Sequence, residues 1–570
     1  MDNRLVDCMH FGLNEKRLRQ IFSLLFGVMI LLVVLSAGIM CAVPPISRDA
    51  LTHHLAVPKL YLQHGGIYQI PHIEFSYYPM NLDLLYMLPL ACGNDIIPKF
   101  IHFAFALLTA VLIYRHVRRR LSFGYACFAA LFFLSLPVIL KLSITAYVDL
   151  GLIFFSTAAL LLLIQWAEAG FAIRYLVYAG ACCGLAMGTK YNGMITFFLL
   201  SLAIPVIYLR YANSLMTRLP TRHQLKGVGH GVLFALFALL LFSPWMLRNY
   251  AWTGNPVYPL YRNHFPPAKV VSAPAVLKSG YASKVKGHFA IRKHVYQEPW
   301  YQIALIPLRI FFQGKDDDPK FFDGRLNPLL FLLPVFAFVG ISSDARKLRF
   351  EKKLLLYFSG LYLMVVFLQV DMRIRWVGPI IPPLVILSAH GLHNILAKAI
   401  NIDKKPARQW AVVGIGIVVI AGFGLNAAYL KGLFQKVDAV SCLTGKISRT
   451  EYIQQRRPEY AAIDFINQNL PSDMQVLAIY LGKRRYYFDR DVHFVNQLHW
   501  TTRLNASTEV AEGLRQAGFT HIIVRYDLFN TAMQNQLTAD QAGRLVKFFN
   551  EHATLLFRRD GYGVYKIYGH

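Results

Sequence analysis

Long apolar runs alternate along this chain with short segments in which Lys and Arg cluster. A helix rises about 1.5 Å per residue, so roughly 20 apolar residues cross a hydrocarbon core about 30 Å thick. About eleven spans are read by that criterion, at 21–43, 97–114, 123–141, 148–167, 174–189, 193–210, 228–247, 327–342, 354–370, 376–398 and 410–430. The pattern then changes. From 431 to 570 the periods are those of a small α/β domain. Ala461–Asn469, 508–517 and Asp540–Asn550 read as amphipathic helices, and Val476–Tyr480 and His521–Arg525 as buried strands. Asp560-Gly561 reads as a hairpin turn before Val564–Tyr568. The predicted fold class is an all-α polytopic membrane domain, 1–430, followed by a soluble α/β domain, 431–570.

The basic clusters supply orientation. Lys16, Arg17 and Arg19, then Arg115, Arg118, Arg119 and Arg120, then Arg210, Arg218, Arg222 and Lys226 fall in alternate loops. Arg346, Lys347, Arg349, Lys352 and Lys353, then Lys404, Lys405 and Arg408, continue the series. Cytoplasmic loops carry this excess, so the N-terminus is expected inside and the C-terminal domain outside the cytoplasmic (inner) membrane. Two long outer segments follow, 44–96 and 248–326. The first apolar run exceeds a typical signal-peptide core of about 7–15 residues and is read as a retained span.

Composition agrees: 55% of the 570 residues are hydrophobic. The net charge of +28 invites a nucleic-acid reading, but the cations sit between apolar spans beside the membrane rather than on one soluble face. No nucleic-acid partner is expected. The seven cysteines have no CxxC or metal-ligand spacing.

The chemistry gathers at outer span ends. Asp49 follows the first span, in SRDALTHHLAVPKLYLQHG. Asp149 opens the fourth, in TAYVDLG. Lys190 closes the fifth, in MGTKYNGM, and Arg248 the seventh, in SPWMLRNYAWTGNPVYPLY. Arg373 and Arg375 precede the tenth, in DMRIRWVGPIIPPL. A charged side chain costs about 2.5–3.5 kcal/mol at mid-membrane even on the mild insertion scale, so such residues mark sites. Two carboxylates and several cations at one level suit an anionic, membrane-embedded substrate. No Walker loop or dinucleotide fingerprint is present. An activated polyprenyl-phosphate sugar fits, its phosphate meeting Lys and Arg, its tail an apolar groove, and a carboxylate serving as general base.

The ordered set RDALTHHLAVPKLY, YYPMNLDLLY, AYVD, GTKYNG, PWMLRNYAWTGNPVYP and RIRWVGPIIPPL resembles the GT-C superfamily of glycosyltransferases. It is most similar to the family 39 branch near the protein O-mannosyltransferases and the lipid A aminoarabinose transferase. The resemblance implies inverting transfer from a polyprenyl-phosphate sugar to a lipid, glycan or protein acceptor. It implies Asp49 as the catalytic carboxylate, Lys190 and Arg248 at the donor phosphate, and Asp149 as a polar partner to those cations. Arg375 is read as a third phosphate-binding cation, with His53, His54 and Tyr78 in support. Relatives carry a second acid in the first loop just before a proline. Here Tyr77 and Tyr78 precede Pro79, which leaves Glu74 and Asp83 as alternatives. Some relatives hold a divalent metal ion near these acids, for which Asp49 and His54 are the candidate ligands. The rival reading is a transporter or flippase of a lipid-linked anion.

Overall fold

The computed structural model describes residues 15–212, 221–265, 287–340, 344–496, 498 and 507–568. Helix occurs within each of the eleven apolar segments. Among the described residues seven helices are long and apolar enough to cross a membrane: Ser23–Cys41, Ile97–Arg120, Asp149–Glu168, Gly193–Arg210, His223–Thr253, Ile374–Ile400 and Lys405–Leu443. An eighth span is broken. Phe123–Ser135 and Pro137–Ser143 meet at 63°, because Leu136, the residue before a proline, is held out of the helical region at φ −59°, ψ 133°. The remaining three are shorter or charged. Ile173–Thr189 has 17 residues and Leu329–Phe336 only eight. Arg346–Gln369 spends its first two turns on Arg346, Lys347, Arg349, Glu351, Lys352 and Lys353.

Asp149–Glu168 and Ile374–Ile400 are the most enclosed spans, each 72% buried, whereas Lys405–Leu443 is 11% buried and runs along the periphery. A close crossing joins Ile173–Thr189 to Thr221–Thr253. A Cβ on Gly180 would lie 2.8 Å from the Phe234 carbonyl oxygen, and one on Gly184 would collide with the Ala238 carbonyl. Small residues four apart let the two backbones touch, which is how helices gain contact inside a bilayer.

The helix that begins at Lys405 continues to Val437, past the expected domain boundary at 430. Beyond it lies a five-stranded sheet: β1 (Gln475–Ile479), β2 (Asp491–Val495), β3 (Phe519–Arg525), β4 (Ala553–Arg559) and β5 (Tyr562–Ile567). The order is β2-β1-β3-β5-β4, with β1 parallel to β2 and β3, and β5 antiparallel to β3 and β4. Alternate residues take opposite faces. Leu477, Ile479, Ile522 and Val524 meet the helices Ser507–Gln516 and Ala539–Glu551, while Val476, Ala478 and Ile523 meet Tyr460–Asn469. The hairpin turn falls at Asp560-Gly561, both left-handed at φ 51° and 83°.

This domain docks on the segment after the first span. The Tyr486 amide donates to the Leu51 carbonyl at 3.0 Å, and Lys59 Nζ meets Asp489 Oδ1 at 2.7 Å. Arg457 Nε donates to the Ile46 carbonyl at 2.6 Å, and the Tyr487 hydroxyl to that of Pro45 at 2.7 Å. The opposite end of the bundle closes on a separate ion-pair set, Arg120 with Glu168 and Glu351, and His116 with Glu351.

Candidate functional site

Immediately after Asp49 the chain makes a π turn, Ala50–His54, closed by the Leu55 amide on the Ala50 carbonyl at 2.9 Å. The wide turn buries two consecutive histidines; such turns are frequent at functional sites. His53 stacks on Phe75 at 4.3 Å, and His54 Nδ1 lies 2.7 Å from Asp83 Oδ1. Burial pushes the Asp83 carboxyl up to about 7 and holds His54 down at about 4.

Arg375, just inside the turn that opens the span Ile374–Ile400, reaches Asp49 with Nη1 2.6 Å from Oδ2. Burial alone would raise the Asp49 carboxyl. The Arg375 guanidinium, helped by His53 and His54, outweighs that and holds it well below the usual carboxylate range. Tyr147 lies between the elements. Its hydroxyl accepts from the Asp49 amide at 3.4 Å, its ring sits 5.4 Å under the Arg375 guanidinium, and it faces His54 at 5.6 Å.

Two residues on, Asp149 starts its helix. The next amide, Leu150, donates to His102 Nε2 at 2.9 Å, which leaves His102 Nδ1–H to donate to the Thr145 carbonyl at 2.8 Å. That imidazole fixes the helix entry and so the Asp149 side chain. Asp149 Oδ1 takes the Lys190 ammonium at 2.7 Å; its Oδ2 is buried with no hydrogen-bond partner. Lys190 follows the last turn of Ile173–Thr189 in extended conformation, which swings the ammonium back onto Asp149.

Arg248 lies beside this group. Its Nη2 donates to the Tyr78 carbonyl at 3.1 Å, and its guanidinium lies 4.6 Å from the Trp245 ring and 4.9 Å from Trp252. Arg248 Nη1 is buried with no partner. Tyr191, next to Lys190, links the two: its ring meets Tyr78 at 5.2 Å, and its hydroxyl accepts from Asn249 Nδ2 at 3.1 Å.

The structure thus joins Asp49, His53, His54, Asp83, Asp149, Lys190 and Arg375 in one connected group, with Arg248 and Tyr78 beside it. Of the two alternatives for the second acid, Asp83 is in the group. Glu74 is half-exposed and paired with Arg262 at 3.1 Å. Tyr147, Tyr191, Asn249, Trp245, Trp252 and His102 were not foreseen. Tyr147 sits two residues before Asp149 in a motif already singled out, but one tyrosine among the chain's 31 carries no pattern. His102 lies in an apolar run, where nothing announces a cap for a helix 48 residues later.

The metal expectation does not fit. Asp49 is committed to Arg375 and His54 to Asp83. Among the described residues no three His, Cys, Asp or Glu side chains converge as metal ligands do. The charges otherwise favour an anion. Arg375 pairs with Asp49 and Lys190 with Asp149, and the unpaired Arg248 Nη1 is a desolvated donor, costly unless an acceptor arrives.

The family model described as dolichyl-phosphate-mannose-protein mannosyltransferase matches residues 94–247. No curated protein matches the sequence. Among solved structures, apo ArnT from Cupriavidus metallidurans is similar with a TM-score of 0.53 at 14% identity, over 96% of this chain and 98% of that one. The same protein bound to undecaprenyl phosphate gives 0.52 at 14%, over 95% and 97%. The apo oligosaccharyltransferase of Archaeoglobus fulgidus gives 0.51 at 12%, over 92% of this chain and 73% of that one. The chain thus shares the fold of these membrane glycosyltransferases over nearly its whole length.

Proposed function

We propose that the chain transfers a sugar from a polyprenyl-phosphate donor to a lipid, glycan or protein acceptor at the outer face of the cytoplasmic membrane. The observation that carries this is the Asp49–Arg375 ion pair at the membrane exit, beside a second pair, Lys190–Asp149. Undecaprenyl phosphate in the similar ArnT structure supports the donor class. The Lys/Arg bias of the loops supports the sidedness.

Paired as it is, Asp49 is a weak base. The donor phosphate changes that by competing for Arg375, with Lys190 and the free donor of Arg248 as its other cations. Asp49, released from its partner, becomes more basic and accepts the proton of the acceptor hydroxyl. The hydroxyl oxygen bonds to the anomeric carbon from the face opposite the phosphate. The carbon–oxygen bond to phosphate breaks, polyprenyl phosphate leaves with the electron pair, and the configuration inverts. Phosphate needs no acid to leave. The charged groups meet at one end of the bundle rather than at its midplane, which favours transfer over lipid flipping.

Asp49→Asn is expected to lower transfer by about 10²–10⁴-fold in membranes supplied with lipid-linked sugar, with donor binding nearly unchanged. Normal transfer by this variant would remove the catalytic assignment.

A further inference from the structure

At the end of the bundle away from Asp49, the helices Ile97–Arg120 and Asp149–Glu168 diverge around a cavity of about 240 Å³. Its first wall is one stripe of a single helix: Leu112, Arg115, His116, Arg119 and Arg120, the i, i+3, i+4, i+7, i+8 positions of one face. The second wall, Ala158, Leu161, Leu162, Gln165 and Glu168, is apolar toward the bilayer interior and polar at the rim.

The charges in this cavity are unbalanced. Its one carboxylate, Glu168, is bonded to Arg120, and Arg120 Nε also takes buried Glu351 at 2.8 Å. His116 is held by the other Glu351 oxygen at 2.6 Å. Among the described residues no carboxylate pairs with Arg115 or Arg119. Two guanidiniums one turn apart therefore face the cavity mouth uncompensated, above an apolar wall. On the same helix Leu108 and Val111, seven and four residues before Arg115, are about half exposed and face the lipid.

We propose that this cavity is a binding site for an anionic phospholipid, its phosphate held by Arg115 and Arg119 and an acyl chain lying along Leu112, Leu161 and Leu162. The shared chemistry is a phosphate ester. The apolar wall running from the cations toward the bilayer centre selects a lipid over free phosphate, because a soluble ion would leave that wall uncovered. Basic pockets between spans on the cytoplasmic side recognise anionic head groups in this way. The site is independent of the proposed transfer chemistry at the other end of the bundle.

Native mass spectrometry of the full chain in detergent, titrated with phosphatidylglycerol or phosphatidylcholine, tests this. The wild type is expected to retain phosphatidylglycerol in preference to phosphatidylcholine. Arg115→Gln with Arg119→Gln is expected to lower phosphatidylglycerol retention about tenfold. The pair Arg115→Lys with Arg119→Lys, which keeps the charge, should retain more than the Gln pair. Arg118→Gln, an exposed neighbour outside the cavity, should match the wild type and reports any general charge effect. Equal retention by wild type and the Gln pair, equal retention of the two lipids, or an equal loss with Arg118→Gln would overturn the proposal. So would displacement of phosphatidylglycerol by millimolar inorganic phosphate, which would make this a site for the free ion.

Discussion

Asp149 shows how tightly the residues of this site depend on one another. It is 1% exposed, and its one ion pair among the described residues is with Lys190. Removing Lys190 strands a buried carboxylate, at a cost of about 3–5 kcal/mol. Lys190→Ala is therefore expected to lose both donor binding and melting temperature, and adding Asp149→Asn should restore the melting temperature without the binding. Thermal unfolding and donor titration of both variants check this; if the double variant melts no higher than the single, the pair is not what holds the two helices. Asp83 makes a pH prediction. Its folded value, about 7, lies above its ordinary 3.8, so the stability it contributes is full below about 3.8 and is lost as pH rises through about 7. His54, lowered from 6.5 to about 4, acts with the opposite sign, but that effect is common to Asp83→Asn. The wild-type melting temperature measured relative to Asp83→Asn should fall between pH 4 and 7 and level off above; a flat difference would mean that Asp83 is ionised throughout. At this scale the sequence announces charges, since Asp49, Asp149, Lys190, Arg248 and Arg375 are conspicuous against apolar neighbours. It does not announce their partners. That Arg375 takes Asp49 and Lys190 takes Asp149 depends on helices far apart in the chain.

The elements were legible where a period or a breaker was strong. The hairpin at 560–561 follows from Asp-Gly, whereas the segment 123–141 reads as one span although Pro137 breaks it. β2, DVHFV, was missed because it is an edge strand with one fully buried residue, so it lacks the apolar run that marked β1 and β3. The π turn was also invisible: Ala50–His54 has the composition of an ordinary helix start, and only its packing against Phe75 and Tyr147 makes the wider turn worth its strain. Gly180 and Gly184 carry a prediction of their own. Gly184→Val drives a side chain into the Ala238 backbone, and overpacking of that kind costs about 1–3 kcal/mol. A lower melting temperature in detergent is expected, with the Asp49 chemistry impaired only as far as Lys190, six residues on, is displaced. A variant as stable as the wild type would show that the two helices can part without penalty.

Across the whole molecule the sheet domain and the segment after the first span form one support for Asp49. Tyr486 reaches Leu51, Lys59 reaches Asp489, and Arg449 meets Asp95 at 2.5 Å. Lys59→Met with Arg449→Met is expected to speed amide hydrogen exchange across 47–64 and to reduce transfer several-fold, while exchange within the sheet stays as it was. Unchanged exchange at 47–64 would mean that the transmembrane bundle alone holds the turn. The existence of both domains was legible from their different periods. Their contact was not, because single hydrogen bonds between loops leave no pattern.

The Leu51 carbonyl waits for an amide that lies more than four hundred positions further along the chain, as do the partners of Lys59, 427 and 429 residues away. A ribosome making this protein synthesises all seven of the long apolar helices before that amide exists. Until the last quarter of the polypeptide has folded, the nascent chain carries an Asp49 turn with that prop missing. Synthesis order itself thus withholds a finished Asp49 site until the sheet domain has been made.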